Sequence, residues 1–243
     1  MTVTNSAYKI LQVIPLSTPK SLLIRIEATD LKITLREIFL SLSNLCWVNN
    51  LPNTSNMFKK SLQRRAETTV KRLEEVLISG SKSNVSSSAG EYVVSELAHS
   101  VVVNEFGYID IPLAELFKQK SKGNPGFDFF AEDPKSNIVL FGEAKYSSTS
   151  NSYQRAFVQI VEFVEKDGKD VLDMADLEHF CSQKAQENML NGKKGFIAAF
   201  SSTTISDEDL KKHIENNNDY KQLLDYEELV CVAVNIPRYE QPN

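Results

Sequence analysis

The stretch GFDFFAEDPKSNIVLFGEAKYS, Gly126–Ser147, decides how the chain is read. Two apolar runs, GFDFFA and IVLFGEAKY, flank the turn EDPKSN, and so short a connection predicts an antiparallel hairpin. Residues two apart on a strand share a face. Val139, Phe141, Glu143 and Lys145 therefore share one face, and Ile138, Leu140, Gly142 and Ala144 the other. Both faces begin apolar, which predicts a central strand buried on both sides. The run nevertheless ends in a Glu and a Lys side by side, with Asp128 on the partner strand. Ionised groups beside a core are costly unless something pairs with them.

Upstream, EYVVSELAHSVVV predicts a helix, with Val94, Leu97, Ala98 and Val101 at i, i+3, i+4 and i+7. At about 100° per residue, Glu91 lies beside that stripe and Glu96 well away from it. Glu91 is thus expected to point inward and Glu96 to solvent. Glu91, Asp128 and Glu143 would then converge with Lys145. Carboxylates so placed raise one another's pKa unless a cation neutralises them. Magnesium suits a site of few carboxylates and waters. Such an ion polarises a phosphate oxygen and lowers the pKa of bound water. Lys145 would hold that water or stabilise charge developing on the phosphate. This is equipment for phosphodiester hydrolysis. The plainer alternative is an ion pair at the core's edge, Glu143 with Lys145, and Asp128 as a turn carboxylate.

Downstream, SYQRAFVQIVEFVE carries Tyr153, Ala156, Phe157, Ile160, Val161 and Val164 on one helical stripe. A helix around Asp173–Leu190 follows, then a buried strand GFIAAFSS. A helix capped by Ser206 comes next, then a closing strand ELVCVAVNI. At the other end, YKILQVIPL and SLLIRIEA predict two strands around Ser17–Thr18–Pro19. A helix from Leu31 to about Leu45 and a longer one from about Asn56 to Leu77 come after them. IDIPLAELFKQKSKGNPG reads as a short helix and a loop. The Ser/Gly-rich SGSKSNVSSSAG, residues 79–90, reads as a boundary or as a mobile loop within one domain. The division taken is an N-terminal strand-and-helix region at 1–85 and a core at 86–243. The expected class is α/β (α+β), a mixed central sheet flanked by helices.

The 243 residues are 42% hydrophobic and 24% charged, an ordinary globular balance. No apolar run approaches the ~20 residues that span a bilayer, and the first residues lack the pattern of a signal peptide, so a cytoplasmic protein with no membrane is expected. Cys46, Cys181 and Cys231 are odd in number and far apart, and read as reduced thiols. His99, His179 and His213 show no zinc spacing. There is no Gly-rich phosphate loop and no G-x-S-x-G elbow. The net charge of -5 argues against bulk-charge attraction to nucleic acid. Locally, Lys59, Lys60, Arg64, Arg65, Lys71 and Arg72 make one helix basic, and Lys118–Lys122 forms a second basic stretch. Either could contact phosphate, and either could be ordinary solvated surface. Tyr146 could line a groove or simply pack, and Trp47 and GFDFF read as core.

Gly126-Phe127-Asp128 followed by Glu143-Ala144-Lys145 resembles the Asp…Glu-x-Lys core of the PD-(D/E)XK nuclease superfamily, with Phe127 where Pro is usual. The likeness covers roughly Gly90 to Ser202 in order of elements. It implies a restriction-endonuclease-like fold and Mg2+-dependent DNA hydrolysis, with Mn2+ able to substitute. It also implies that Asp128, Glu143 and the Ala144 carbonyl bind the metal, that Lys145 assists the attacking water, and that Glu91 completes the site. The helix holding Gln154, Arg155 and Gln159 is similar to one that often touches substrate in that superfamily. Asp133-Pro-Lys135, Asp167-Gly-Lys169, Asp209-Leu-Lys211 and Asp219-Tyr-Lys221 share the bare spacing, but fall in turns or helices, where i and i+2 diverge. More narrowly, G-E at a helix start with P-G-F-D and G-E-A-K resembles the HamA-like nuclease subunits of Hachiman antiphage systems. That implies a helicase partner that restrains the enzyme. The alternatives are a stand-alone restriction endonuclease, or a catalytically silent subunit that binds nucleic acid or docks a partner.

Overall fold

A computed structural model describes residues 6–52, 54–80, 87–118, 126–202 and 205–236. In chain order the elements are β1 (Tyr8–Pro15), β2 (Ser21–Ala28), α1 (Leu31–Ser43), α2 (Cys46–Asn50), α3 (Asn56–Gly80) and α4 (Ser87–Phe106). There follow β3 (Ile109–Ile111), α5 (Ala114–Phe117), β4 (Phe129–Asp133), β5 (Ile138–Lys145), α6 (Tyr153–Glu165), α7 (Lys169–Leu177) and α8 (Gln183–Leu190). The chain continues through β6 (Gly195–Ser202), α9 (Asp207–Asn216), α10 (Asn218–Leu223) and β7 (Glu228–Asn235). The strands form one mixed sheet of seven, ordered β1-β2-β7-β6-β5-β4-β3. Its centre, β2-β7-β6-β5, is parallel, and an antiparallel partner flanks each side.

The hairpin forms as its sequence dictates. Phe129–Asp133 pairs antiparallel with Ile138–Gly142. Asp133 closes the turn by accepting from the backbone N–H groups of Lys135 and Ser136 and from the Ser136 hydroxyl. Asn137 takes the left-handed conformation, φ 55°, which Asn tolerates better than most residues. Glu132, expected within the turn, is instead buried in β4. There its carboxylate accepts from the backbone and hydroxyl of Ser182, the cap of α8.

β5 is buried along its length and its two faces serve two cores. Ile138, Leu140 and Ala144 pack with α1, α3 and α4. Val139 and Phe141 pack with α6 and the helices that follow it. α6 buries Ala156, Phe157, Ile160 and Val161 of its expected stripe, plus Phe163, while Tyr153 and Val164 are half-buried. Ser206 caps α9 as its sequence indicates.

The N-terminal hairpin joins the main sheet, where β2 pairs in parallel with β7. Three expectations change. The helix expected at 173–190 is two, broken where Ser182 caps the second. β3, α2 and α10 were not anticipated. α4 does not follow its apparent stripe: every residue from Val93 to Val102 is buried, Glu96 among them at 2% exposure. A helix covered by the sheet on one side and by α1 and α3 on another has no single wet face, so the periodicity misassigns it. α3 runs to Gly80 and α4 starts at Ser87; residues 81–86 of the Ser/Gly-rich stretch and residues 119–122 of the second basic stretch lie outside the described residues.

Burial lifts the Glu96 carboxyl to about 7. An unfolded chain ionises this group near 4.5, so the folded state is increasingly penalised as pH rises from there towards 7. Glu96→Gln keeps the shape of the protonated acid. It is expected to stabilise the protein at pH 8 by about 3 kcal/mol, on the order of the linkage between the two pKa values, and to change little at pH 4.5. Urea titrations at the two pH values test this.

Candidate functional site

Asp128, Glu143 and Lys145 meet at the C-terminal end of β5, where open parallel sheets hold their ligands. Asp128 just precedes β4, and its backbone N–H donates to the Gly142 carbonyl at 2.9 Å. This keeps Asp128 beside β5 at Gly142, next to Glu143 in the chain. The Asp128 carboxylate accepts from the Ala144 N–H at 2.9 Å and so lies against the Glu143–Ala144–Lys145 backbone. Across the parallel ladder, Glu143 stands beside Ala198 and Lys145 beside Phe200. The small Ala198 leaves the Glu143 side free of a bulky neighbour on that strand.

The Glu143 side chain is 3% exposed and that of Lys145 13%, with Nζ 2.5 Å from Oε1. The other oxygen, Oε2, is buried with no hydrogen-bond partner among the described residues. Burial raises the Glu143 carboxyl well above the usual carboxylate range. Asp128 and Glu91 add to the rise, and Lys145 only partly opposes it. Lys145 is pulled the other way by its own burial, but Glu143, Asp128 and Glu91 outweigh this and raise its pKa. The amine is therefore an ammonium at neutral pH. Among the described residues, Asp128 and Glu143 bring two carboxyl groups to the single ammonium of Lys145, and the Glu143 Oε2 atom is left over.

Glu91 reaches this end of the sheet from the opposite layer. Gly90 lets α4 begin there: a Cβ would lie 2.3 Å from the Tyr146 ring. Tyr146 thus packs, 9% exposed, against α4. Glu91 was expected to point inward, but its side chain is 37% exposed, with Arg155 Nη2 3.9 Å from Oε1. Arg155, at the start of α6, also donates to the Tyr146 carbonyl at 3.2 Å. The inward and outward aims read for Glu91 and Glu96 are therefore exchanged. Glu91 remains close enough to influence the charge of Glu143 and Lys145.

Among the described residues no group of three or more His, Cys, Asp or Glu side chains forms a cluster able to hold a metal ion. The donor set at the end of β5 is two carboxylates and the Ala144 carbonyl. Those hard oxygens, the spare Glu143 Oε2 and the excess negative charge fit a hydrated Mg2+ or Mn2+. The competing D-x-K spacings lie at the β4–β5 turn, at the start of α7, in α9 and in α10, and none runs along a strand as Glu143-Ala144-Lys145 does. Of the basic residues, Lys118 is not a surface group but a buried partner of Asp173. On α3, Lys59 donates to the Asn49 carbonyl, Arg64 pairs with Glu67 and Arg72 pairs with Glu115.

Searches against known proteins match the chain to no protein-family model and to no curated protein. Among the described residues no helix is long and apolar enough to cross a membrane.

Proposed function

We propose that this chain is a Mg2+-dependent nuclease of PD-(D/E)XK type that hydrolyses DNA phosphodiester bonds. The observation that carries the reading is Glu143: a carboxylate buried at a strand exit, one oxygen on Lys145 and the other without a partner, facing Asp128. A group kept so far from water at such electrostatic cost is typical of a working site. The order α4, three antiparallel strands β3-β4-β5, α6 and a parallel β6 supports a restriction-endonuclease-like core.

Asp128, Glu143 and the Ala144 carbonyl would hold the ion. When bound, it supplies a Lewis acid for a phosphate oxygen and acidifies a water molecule. The protein's own contribution is positional and electrostatic. Lys145, an ammonium throughout the physiological range, donates hydrogen bonds to the water or to the phosphate oxygen that gains charge; it does not accept a proton. Phe200 and the Phe127, Phe141 and Phe196 cluster exclude water from behind the site. Arg155, more than half exposed, offers a guanidinium to the phosphate backbone at the rim.

The narrower reading places the chain in a Hachiman-type antiphage system with a helicase partner. The negative net charge supports a division in which the partner supplies most of the DNA affinity. The test has two parts. Mn2+ titration followed by electron paramagnetic resonance is expected to show binding by the wild type that Asp128→Asn weakens at least about tenfold. Plasmid DNA with Mg2+, with and without the product of a neighbouring helicase gene, is expected to be cleaved by the wild type and not by Glu143→Ala. Cleavage that survives Glu143→Ala overturns the assignment. So does Mn2+ binding that ignores Asp128.

A further inference from the structure

Lys118 and Asp173 make a buried ion pair against the segment that delivers Asp128. Lys118 follows α5 and Asp173 lies in α7. Their side chains are 12% and 7% exposed, with Nζ 2.6 Å from Oδ1. The amine also stands 5.3 Å from the centroid of the Phe130 ring. Gly126 is pressed against both partners: a Cβ there would lie 2.4 Å from Lys118 Nζ and 3.3 and 3.4 Å from the Asp173 oxygens. The next residue, Phe127, turns its backbone N–H towards Asp173, which favours the ionised carboxylate. Its ring is held between Phe141, Phe163 and Phe196. Asp128 follows, fixed to Gly142 and Ala144 as described.

Buried ion pairs are poor stabilisers, because desolvation cancels much of their attraction, and apolar substitutes often serve the fold as well. This pair has a second task within reach. It anchors the backbone immediately before Asp128, at a point where β4 has not yet begun and sheet hydrogen bonds are few. We propose that Asp173, held in place by Lys118, is a positioning residue: it sets the Gly126–Asp128 backbone so that the Asp128 carboxylate stands against the Ala144 peptide. This rests on the ion-binding reading of that site. An ion site is sensitive to such support, since loss of a group that orients a metal ligand typically costs about 10–100-fold in metal affinity or activity.

The readout is Mn2+ affinity by paramagnetic resonance, with thermal melting in chelator measured alongside. Asp173→Asn is expected to keep a cooperative melt and to weaken Mn2+ binding by about 10–100-fold. The Mg2+ concentration for half-maximal cleavage should rise by the same factor, while the rate at saturating Mg2+ falls much less. Gly126→Ala, whose Cβ forces the Lys118 amine aside and crowds the Asp173 carboxylate, is expected to act in the same direction but less strongly. It carries the test if Asp173→Asn does not fold. Mn2+ affinity unchanged in folded Asp173→Asn or Gly126→Ala overturns the inference, even where melting falls. The parent reading fails differently: there, Asp128→Asn itself leaves Mn2+ binding intact.

Discussion

Glu143→Gln is expected to lose DNA cleavage and to melt at a higher temperature than the wild type in metal-free buffer at neutral pH. The two effects share one cause. Burial, reinforced by Asp128 and Glu91, lifts the folded pKa of Glu143 well above the 4.5 of an accessible Glu, and the attraction of Lys145 is already included in that net rise. Below about pH 4.5 the proton is on in both states and costs nothing. As pH climbs, the unfolded chain releases it first, and stability falls until pH passes the folded pKa. Glutamine retains the neutral shape and removes that penalty. Added Mg2+ is expected to stabilise the wild type by mass action and to leave the variant unmoved, which narrows or inverts the difference. Cleavage should fall by about 10²–10³-fold or more, the cost typical of deleting one preorganised charge-stabilising group. Scanning fluorimetry from pH 5 to 8, in chelator and in Mg2+, gives the comparison. A variant less stable than the wild type in chelator at pH 8 would contradict the account.

Lys145→Met is expected to separate ion binding from chemistry. The ammonium stands 2.5 Å from a proposed ligand and repels any cation beside it. Its removal should leave Mn2+ affinity unchanged or higher, while cleavage falls by about 10²–10³-fold. Lys145→Arg retains the charge but spreads it over a planar fork on a longer stem, so most of the loss should persist. Because the lysine pKa is raised rather than lowered, no loss of rate between pH 7 and 9 is expected from its deprotonation. Any rise of rate with pH should instead follow metal occupancy, since a bound ion needs the ionised Glu143 carboxylate. Metal binding lost together with activity in Lys145→Met would mean that the lysine acts by holding the site's shape.

The hairpin and the juxtaposition of Asp128, Glu143 and Lys145 were legible because they depend on local rules. Alternation along Ile138–Lys145 and a short turn fix which side chains face one another. α6 was legible for the same reason: one of its faces is wet. α4 was not, because its surroundings are set by α1 and α3, and only their packing explains why Glu96 is dry and Glu91 is not. β3 pairs over three residues, too few to leave a periodic signal. The link from Lys118 to Asp173 joins segments whose proximity only the folded sheet creates, and no spacing in the sequence announces it.

The parallel seam between β2 and β7 imposes an order on biosynthesis. Ser21 and Tyr220, whose hydroxyls meet at 2.9 Å, are separated by 199 positions. Contacts this distant are slow to form. A nascent chain still on the ribosome can assemble α4 through β6, but β6 keeps a bare edge until β7 emerges to seat between it and the waiting N-terminal hairpin. During that interval the bare edge is the part of the molecule most open to mispairing, so truncation or stalling before Glu228 should yield aggregate rather than a smaller soluble unit.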